Sequence, residues 1–131
     1  MFTYQLRLAI ISLFLASSLC SASVAQELFP DKNLAAAVRQ EVFEKRNNTQ
    51  PLTEADVQNI SQVVAKGKKI ASLAGLEKCK ALMLLDLENN EIADVAPLKE
   101  LKLLQSVNLK QNKIQDITPL TDLVAVQYLD L

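Results

Sequence analysis

The chain has 131 residues, half of them hydrophobic, with only 2 Gly and 4 Pro, a composition of packed or repetitive structure and not of disorder, and its length suits one domain. Net charge is −1; residues 1–25 contribute only Arg7, so the remainder carries −2, and with no basic excess to neutralise phosphates no nucleic-acid partner is expected. The absence of His excludes Ser-His and Cys-His nucleophile systems and most zinc sites.

Residues 1–25 read as an export signal. Arg7 supplies a weakly positive start, and "LAIISLFLASSLC" (8–20) is a run of apolar and small residues. The run is shorter than the roughly 18–20 residues needed to cross a bilayer. Ser23 and Ala25 sit at −3 and −1 to a cut before Gln26. An uncleaved N-terminal anchor is the alternative. A lipoprotein reading on Cys20 is weakened by Leu19, where a small residue is wanted. Cleavage leaves Cys79 alone, so no internal disulfide forms and packing must supply the stability.

Residues 26–62 predict a helical cap. "PDKNLAAAVRQEVFEKR" places Leu34, Val38 and Val42 four apart on one helical face, and Lys45 and Arg46 suit the C-terminal end of the helix dipole. "NNTQP" reads as a loop. "TEAD" (53–56) resembles a capping box, with Val57 and Ile60 facing inward behind it.

From residue 63 the chain repeats every 22 residues. Leu85, Val107 and Leu129 recur at that interval, as do Leu87, Leu109 and Leu131. Asn90 matches Asn112, Ile92 matches Ile114, Asp94 matches Asp116, Pro97 matches Pro119, Leu98 matches Leu120 and Leu101 matches Leu123. Upstream, Val63, Ala65, Ile70, Leu73, Leu76 and Cys79 keep the register, with Lys68 where Asn is wanted. Residues 63–131 thus hold one degenerate repeat (63–81), two full ones (82–103 and 104–125) and a final "VQYLDL" that stops after its strand.

The alternation in "LDL" and "VNL" predicts half-buried strands that stack in parallel, one per repeat. No repeat buries its apolar face alone, so neighbours must cover it. Asn90 and Asn112 are expected to satisfy backbone groups of the turns inside the coil. Pro97 and Pro119 suit the convex return segment, because Pro cannot donate to a ladder. The expected fold class is an α/β solenoid: a leucine-rich repeat stack of parallel strands with a concave face, behind a helical N-terminal cap.

The pattern L-x-x-L-x-L-x-x-N-x-I-x-D-I-x-P-L-x-x-L over residues 63–131 resembles the 22-residue, internalin-type class of bacterial leucine-rich repeat proteins. The order "FPDKNL…LTEADV" is similar to that family's helical cap. The family's cap is itself likened to a reduced EF-hand, but residues 26–62 contain no calcium-ligand run, so no metal is carried over. The resemblance implies recognition of a protein by the concave face, without chemistry.

Two sharper readings of "LLDLENNEIADVAPLKEL" (84–101) fail. A calcium loop starting at Asp86 needs Gly sixth and Glu twelfth, and these places hold Glu91 and Pro97. Asp86 and Glu88 lie on one face about 6.5–7 Å apart, but a solvated concave sheet offers nothing to raise one of their pKa values. The outward strand positions instead form columns. Gln62, Leu84, Ser106 and Tyr128 make one, Val64, Asp86, Asn108 and Asp130 the next, and Lys66, Glu88 and Lys110 a third that alternates in charge. The candidate contact surface is Leu84, Asp86, Glu88, Ser106, Asn108, Lys110, Tyr128 and Asp130, with Leu84 and Tyr128 as anchors. The bland alternative is a ladder that serves only stacking and solubility.

Two functions stay open. One is an exported, non-enzymatic module that binds a protein partner, with no cofactor and no small-molecule substrate. The other is a non-catalytic envelope component, or a fragment of a longer repeat protein. The last strand predicts an uncapped edge around Leu129 and Leu131, and with it marginal stability or self-association.

Overall fold

The computed structural model describes residues 26–131. The proposed export signal lies outside them. Helix α1 spans Lys32–Glu41 and helix α2 spans Glu54–Val57, with a short 3-10 turn at Phe43–Lys45 between them. Strands β1 (Gln62–Val64), β2 (Leu84–Asp86), β3 (Ser106–Asn108) and β4 (Tyr128–Asp130) follow, and 3-10 turns at Leu76–Lys78, Ala96–Glu100 and Thr118–Asp122 return the chain between them. The sheet is parallel in the order β1-β2-β3-β4. Its register is 22 throughout, pairing Val63 with Leu85, Leu85 with Val107 and Val107 with Leu129. The fold is the expected solenoid of stacked parallel strands with helical structure ahead of it.

The inward positions fill one core that runs from the helices into the repeats. Leu34 and Val38 of α1, Val57 of α2, and Val63, Leu85 and Val107 at the strand centres are all fully buried. Cys79 lies among them, and burial pushes its thiol pKa up to about 12, so it behaves as a small hydrophobe.

Asn90 is the buried polar group of this core. Its amide donates to the carbonyls of Ala65 (2.9 Å) and Leu87 (2.8 Å), and its oxygen accepts from Lys68 N–H and Ile70 N–H, both at 3.0 Å. Asn112 repeats the pattern one rung on, donating to Leu87 and Leu109 and accepting from Ile92 N–H. Each Asn therefore joins its own turn to the preceding repeat. The residue before it is left-handed in every repeat: Gly67 at φ 62°, Asn89 at φ 58° and Gln111 at φ 58°. Gly takes that conformation freely and Asn tolerates it.

Pro97 and Pro119 stand in the first turn of their 3-10 segments, where a missing N–H costs nothing. Asp94 and Asp116 start these turns by accepting from Ala96 N–H and Thr118 N–H, each at 2.9 Å. Ser72 holds the matching place in the first repeat and accepts from Ala74 N–H at 3.3 Å.

The helical segment departs from expectation at its C-terminal end. Lys45 and Arg46 do not complement the dipole of α1, because the helix stops at Glu41 and Val42 turns extended (φ −93°, ψ 98°). Val42 thereby reaches the core while the chain bends away. The two cations tie the loop instead. Lys45 pairs with Asp56 at 3.0 Å and donates to the Pro51 carbonyl at 2.8 Å, and Arg46 donates to the Gln40 carbonyl at 2.7 Å. Asp56 accepts from both the backbone N–H and the hydroxyl of Thr53 at 2.7 Å, which fixes the start of α2.

Two residues bind the helices to the repeats. Asp31 caps α1 by accepting from Asn33 N–H (2.9 Å) and Leu34 N–H (3.1 Å), while its other oxygen accepts from Ala71 N–H (2.8 Å) and Ser72 N–H (3.1 Å). Gly75 sits where later repeats have Pro, at φ +100°; a Cβ there would lie 2.2 Å from the Leu28 carbonyl oxygen and 2.7 Å from Phe29 Cδ1. The missing side chain is what lets Leu28 and Phe29 dock.

Candidate partner-binding face

Each strand presents three residues, of which the middle one is buried and the outer two face away from the core in β1, β2 and β3. Parallel pairing at period 22 then stacks like positions into columns whose successive members are about 4.7–4.9 Å apart, the ordinary strand spacing. Leu84, Ser106 and Tyr128 fall in one column and Asp86, Asn108 and Asp130 in the next. Glu88 and Lys110 lie just past the strands, where the backbone ladder continues through Gly67 N–H to the Glu88 carbonyl (2.9 Å) and Asn89 N–H to the Lys110 carbonyl (2.8 Å). All eight candidate residues are thus brought onto one continuous face.

Their exposure is uneven. Leu84 is 36% exposed and Tyr128 53%. Asp86, Glu88, Ser106, Asn108 and Asp130 are half-buried by their neighbours, and Lys110 is exposed. Val64, in the same column as Asp86, is a further exposed aliphatic group that the sequence placed in the column but not in the contact surface.

The charge ladder differs from the alternating column expected of Lys66, Glu88 and Lys110. The Lys66 ammonium sits between two acids of the next strand, 2.9 Å from Glu88 and 3.0 Å from Asp86. Glu88 also receives a long contact (3.4 Å) from the Asn108 amide. With that carboxylate already engaged, Lys110 forms no ion pair among the described residues. Its long stem lets Lys66 bridge columns instead of staying in its own. The hydrogen bond from Lys66 holds the Glu88 carboxyl below the usual carboxylate range, and the same bond raises the Lys66 ammonium. A proton-donating acid needs the opposite shift.

The face is therefore a shallow surface of mixed character, with exposed Leu84 and Tyr128 where β2 and β4 begin, and Lys66, Asp86 and Glu88 clustered where β1 and β2 end. Two clefts lie on the helical segment: one, lined by Glu41, Phe43, Glu44 and Gln62, adjoins the face at β1, and the other is lined by Phe29, Lys32, Ala36, Arg39 and Leu52. The sequence signal for the first was weak, because Phe43 read as part of α1.

No protein-family model matches the chain, and no curated protein matches it. Solved structures do. An internalin of Listeria monocytogenes superposes with a TM-score of 0.69 at 34% identity, over 78% of this chain and 30% of that one. Internalin C2 of the same organism gives a TM-score of 0.74 at 31% identity, over 79% of this chain and 46% of that one. The functional domain of another Listeria monocytogenes protein, InlJ, which includes a cysteine ladder, gives 0.65 at 25% identity, over 78% of this chain and 22% of that one. The chain thus spans less than half the length of each of these structures.

Proposed function

The chain is an internalin-like leucine-rich repeat protein, and from that premise we propose that it is an exported module whose concave face, Leu84, Asp86, Glu88, Ser106, Asn108, Lys110, Tyr128 and Asp130, binds a protein partner. One observation carries the reading. The inward positions of successive strands repeat as Val63, Leu85 and Val107, whereas the outward ones change from rung to rung: Gln62, Leu84, Ser106, Tyr128. Stacking requires the first set; it does not require the second. Exposed Leu84 and Tyr128 support a contact of standard kind, in which a few large side chains dominate the affinity. Export is supported by the composition of residues 1–25, and N-terminal sequencing of the mature protein should begin at Gln26.

The test is affinity capture from cell-surface and envelope extracts. A partner retained by the wild type should be lost with Leu84→Ala/Tyr128→Ala and kept with Thr121→Ala on the convex side. Undiminished capture by the double variant would remove those anchors.

A further inference from the structure

We infer that the cleft between the end of α1 and the start of β1 receives a lysine or arginine side chain of the protein partner, extending the recognition surface from the sheet onto the helical segment. The inference rests on the protein-binding reading of the concave face and adds to it a second contact of defined chemistry.

The cleft has a volume of about 460 Å³, and its lining includes Glu41, Phe43, Glu44, Ile60, Ser61 and Gln62. Its shape follows from the break at Val42. Once Val42 leaves the helix to enter the core, the following 3-10 turn points Phe43 outward, and the ring is 83% exposed. An aromatic ring left in water at that level is costly where folding has an alternative, and interfaces are where such rings are favoured.

The charges around the ring specify the occupant. Three carboxylates line the cleft: Glu41, Glu44 and Asp56. Asp56 is neutralised by Lys45 at 3.0 Å. Neither Glu41 nor Glu44 forms an ion pair among the described residues. Among the described residues the Glu41 carboxylate accepts only a neutral hydrogen bond, from the Gln62 amide at 3.3 Å. The nearby Arg46 guanidinium lies 5.8 Å from the Phe43 ring centroid, so this ring already attracts a cation of its own chain. Arg46 is anchored to the Gln40 carbonyl at 2.7 Å and pairs with neither glutamate. A lysine or arginine suits such a place, because its aliphatic stem covers apolar surface while its head meets the carboxylates. An acidic or apolar side chain would instead strip water from Glu41 and Glu44 and leave them unpaired.

The cleft is continuous with the concave face. Ser61 and Gln62 line it, the Ser61 carbonyl accepts from Met83 N–H (2.8 Å) and Leu84 N–H (3.1 Å), and Gln62 stands opposite Leu84 in the register. Met83 and Leu84 are both exposed. One partner segment crossing the start of the strands therefore reaches Leu84 by way of Gln62, with its basic residue over the cleft.

The test uses two synthetic peptides, acetyl-Gly-Leu-Lys-Leu-Gly-amide and the same sequence with Glu in place of Lys, titrated into isotope-labelled protein followed by NMR. The lysine peptide should shift the amides of Phe43, Glu44, Ser61 and Met83, and should bind about tenfold more tightly than the glutamate peptide, the scale of one charge-assisted contact. The preference should vanish in Glu41→Gln/Glu44→Gln, surface changes whose spectra should otherwise match the wild type, and should weaken as salt is raised. Equal response to both peptides, a preference that survives the double variant, or no response at these amides overturns the inference. Shifts confined to Leu84, Asn108 and Tyr128 would also overturn it while leaving the concave-face reading intact.

Discussion

Asn90 and Asp31 show how single polar side chains hold this fold. The Asn90 amide bridges the carbonyls of Ala65 and Leu87, and its oxygen receives two N–H groups of the preceding repeat. Asn90→Ala leaves several buried backbone groups without partners, and each such group costs about 1–3 kcal/mol. Urea unfolding should therefore show a loss of about 3 kcal/mol, and a smaller loss for Asn112→Ala, whose side chain is only half-buried. Asp31→Asn should cost about 1–2 kcal/mol at neutral pH, because an amide NH2 replaces the oxygen that accepts from Ala71 N–H and Ser72 N–H and leaves those donors without an acceptor. Burial pushes the Asp31 carboxyl up, but N–H donors at Ala71, Leu34, Ser72 and Asn33 outweigh it and hold the pKa below its ordinary value of 3.8. Because the folded pKa is depressed, this stability is fully present above the unfolded value and is lost as pH falls through the lower folded value. Denaturation of wild type and Asp31→Asn as a function of pH should show a gap that is constant near neutrality and closes in acid. A gap independent of pH would contradict the assignment.

At the scale of elements, the decisive junction is between the helices and the first repeat. Gly75 replaces the Pro of later repeats, and Leu28 and Phe29 occupy the space its side chain would need. Gly75→Ala meets both that contact and an unfavourable positive φ, and should cost about 2–3 kcal/mol. Hydrogen exchange should show the loss concentrated in α1, with β3 protected as before; uniform loss would contradict a docking role. This junction marks the limit of what the sequence discloses. Strands, return turns and the Asn positions were legible because each appears at least twice at period 22, and repetition separates constraint from chance. Asp31 and Gly75 occur once, at a contact between segments 40 residues apart in the Asp31–Ala71 bond, and nothing in local spacing announces them. The early end of α1 was hidden for a related reason. Leu34, Val38 and Val42 do share a buried environment, but Val42 reaches it from an extended backbone, and side-chain periodicity does not distinguish the two routes. The Lys66–Glu88 pairing was legible from the register, whereas the second arm to Asp86 depended on the reach of one flexible side chain.

At the scale of the whole molecule, stacking divides the residues into those the repeat demands and those it leaves free. Leu85, Leu87, Ile92, Val95, Leu98 and Leu101 fill the coil and are buried. Leu84, Asp86 and Glu88, from the same stretch, face outward, and no packing requirement fixes them. The free set is the proposed contact surface. It is tested most directly by placing a photo-crosslinking amino acid at Asn108 on the concave face or at Thr121 on the convex side, and irradiating each variant with the extract that supports capture. An adduct is expected from position 108, abolished by Leu84→Ala/Tyr128→Ala, and none from position 121. An adduct from position 121 alone, or equal adducts from both, would contradict it.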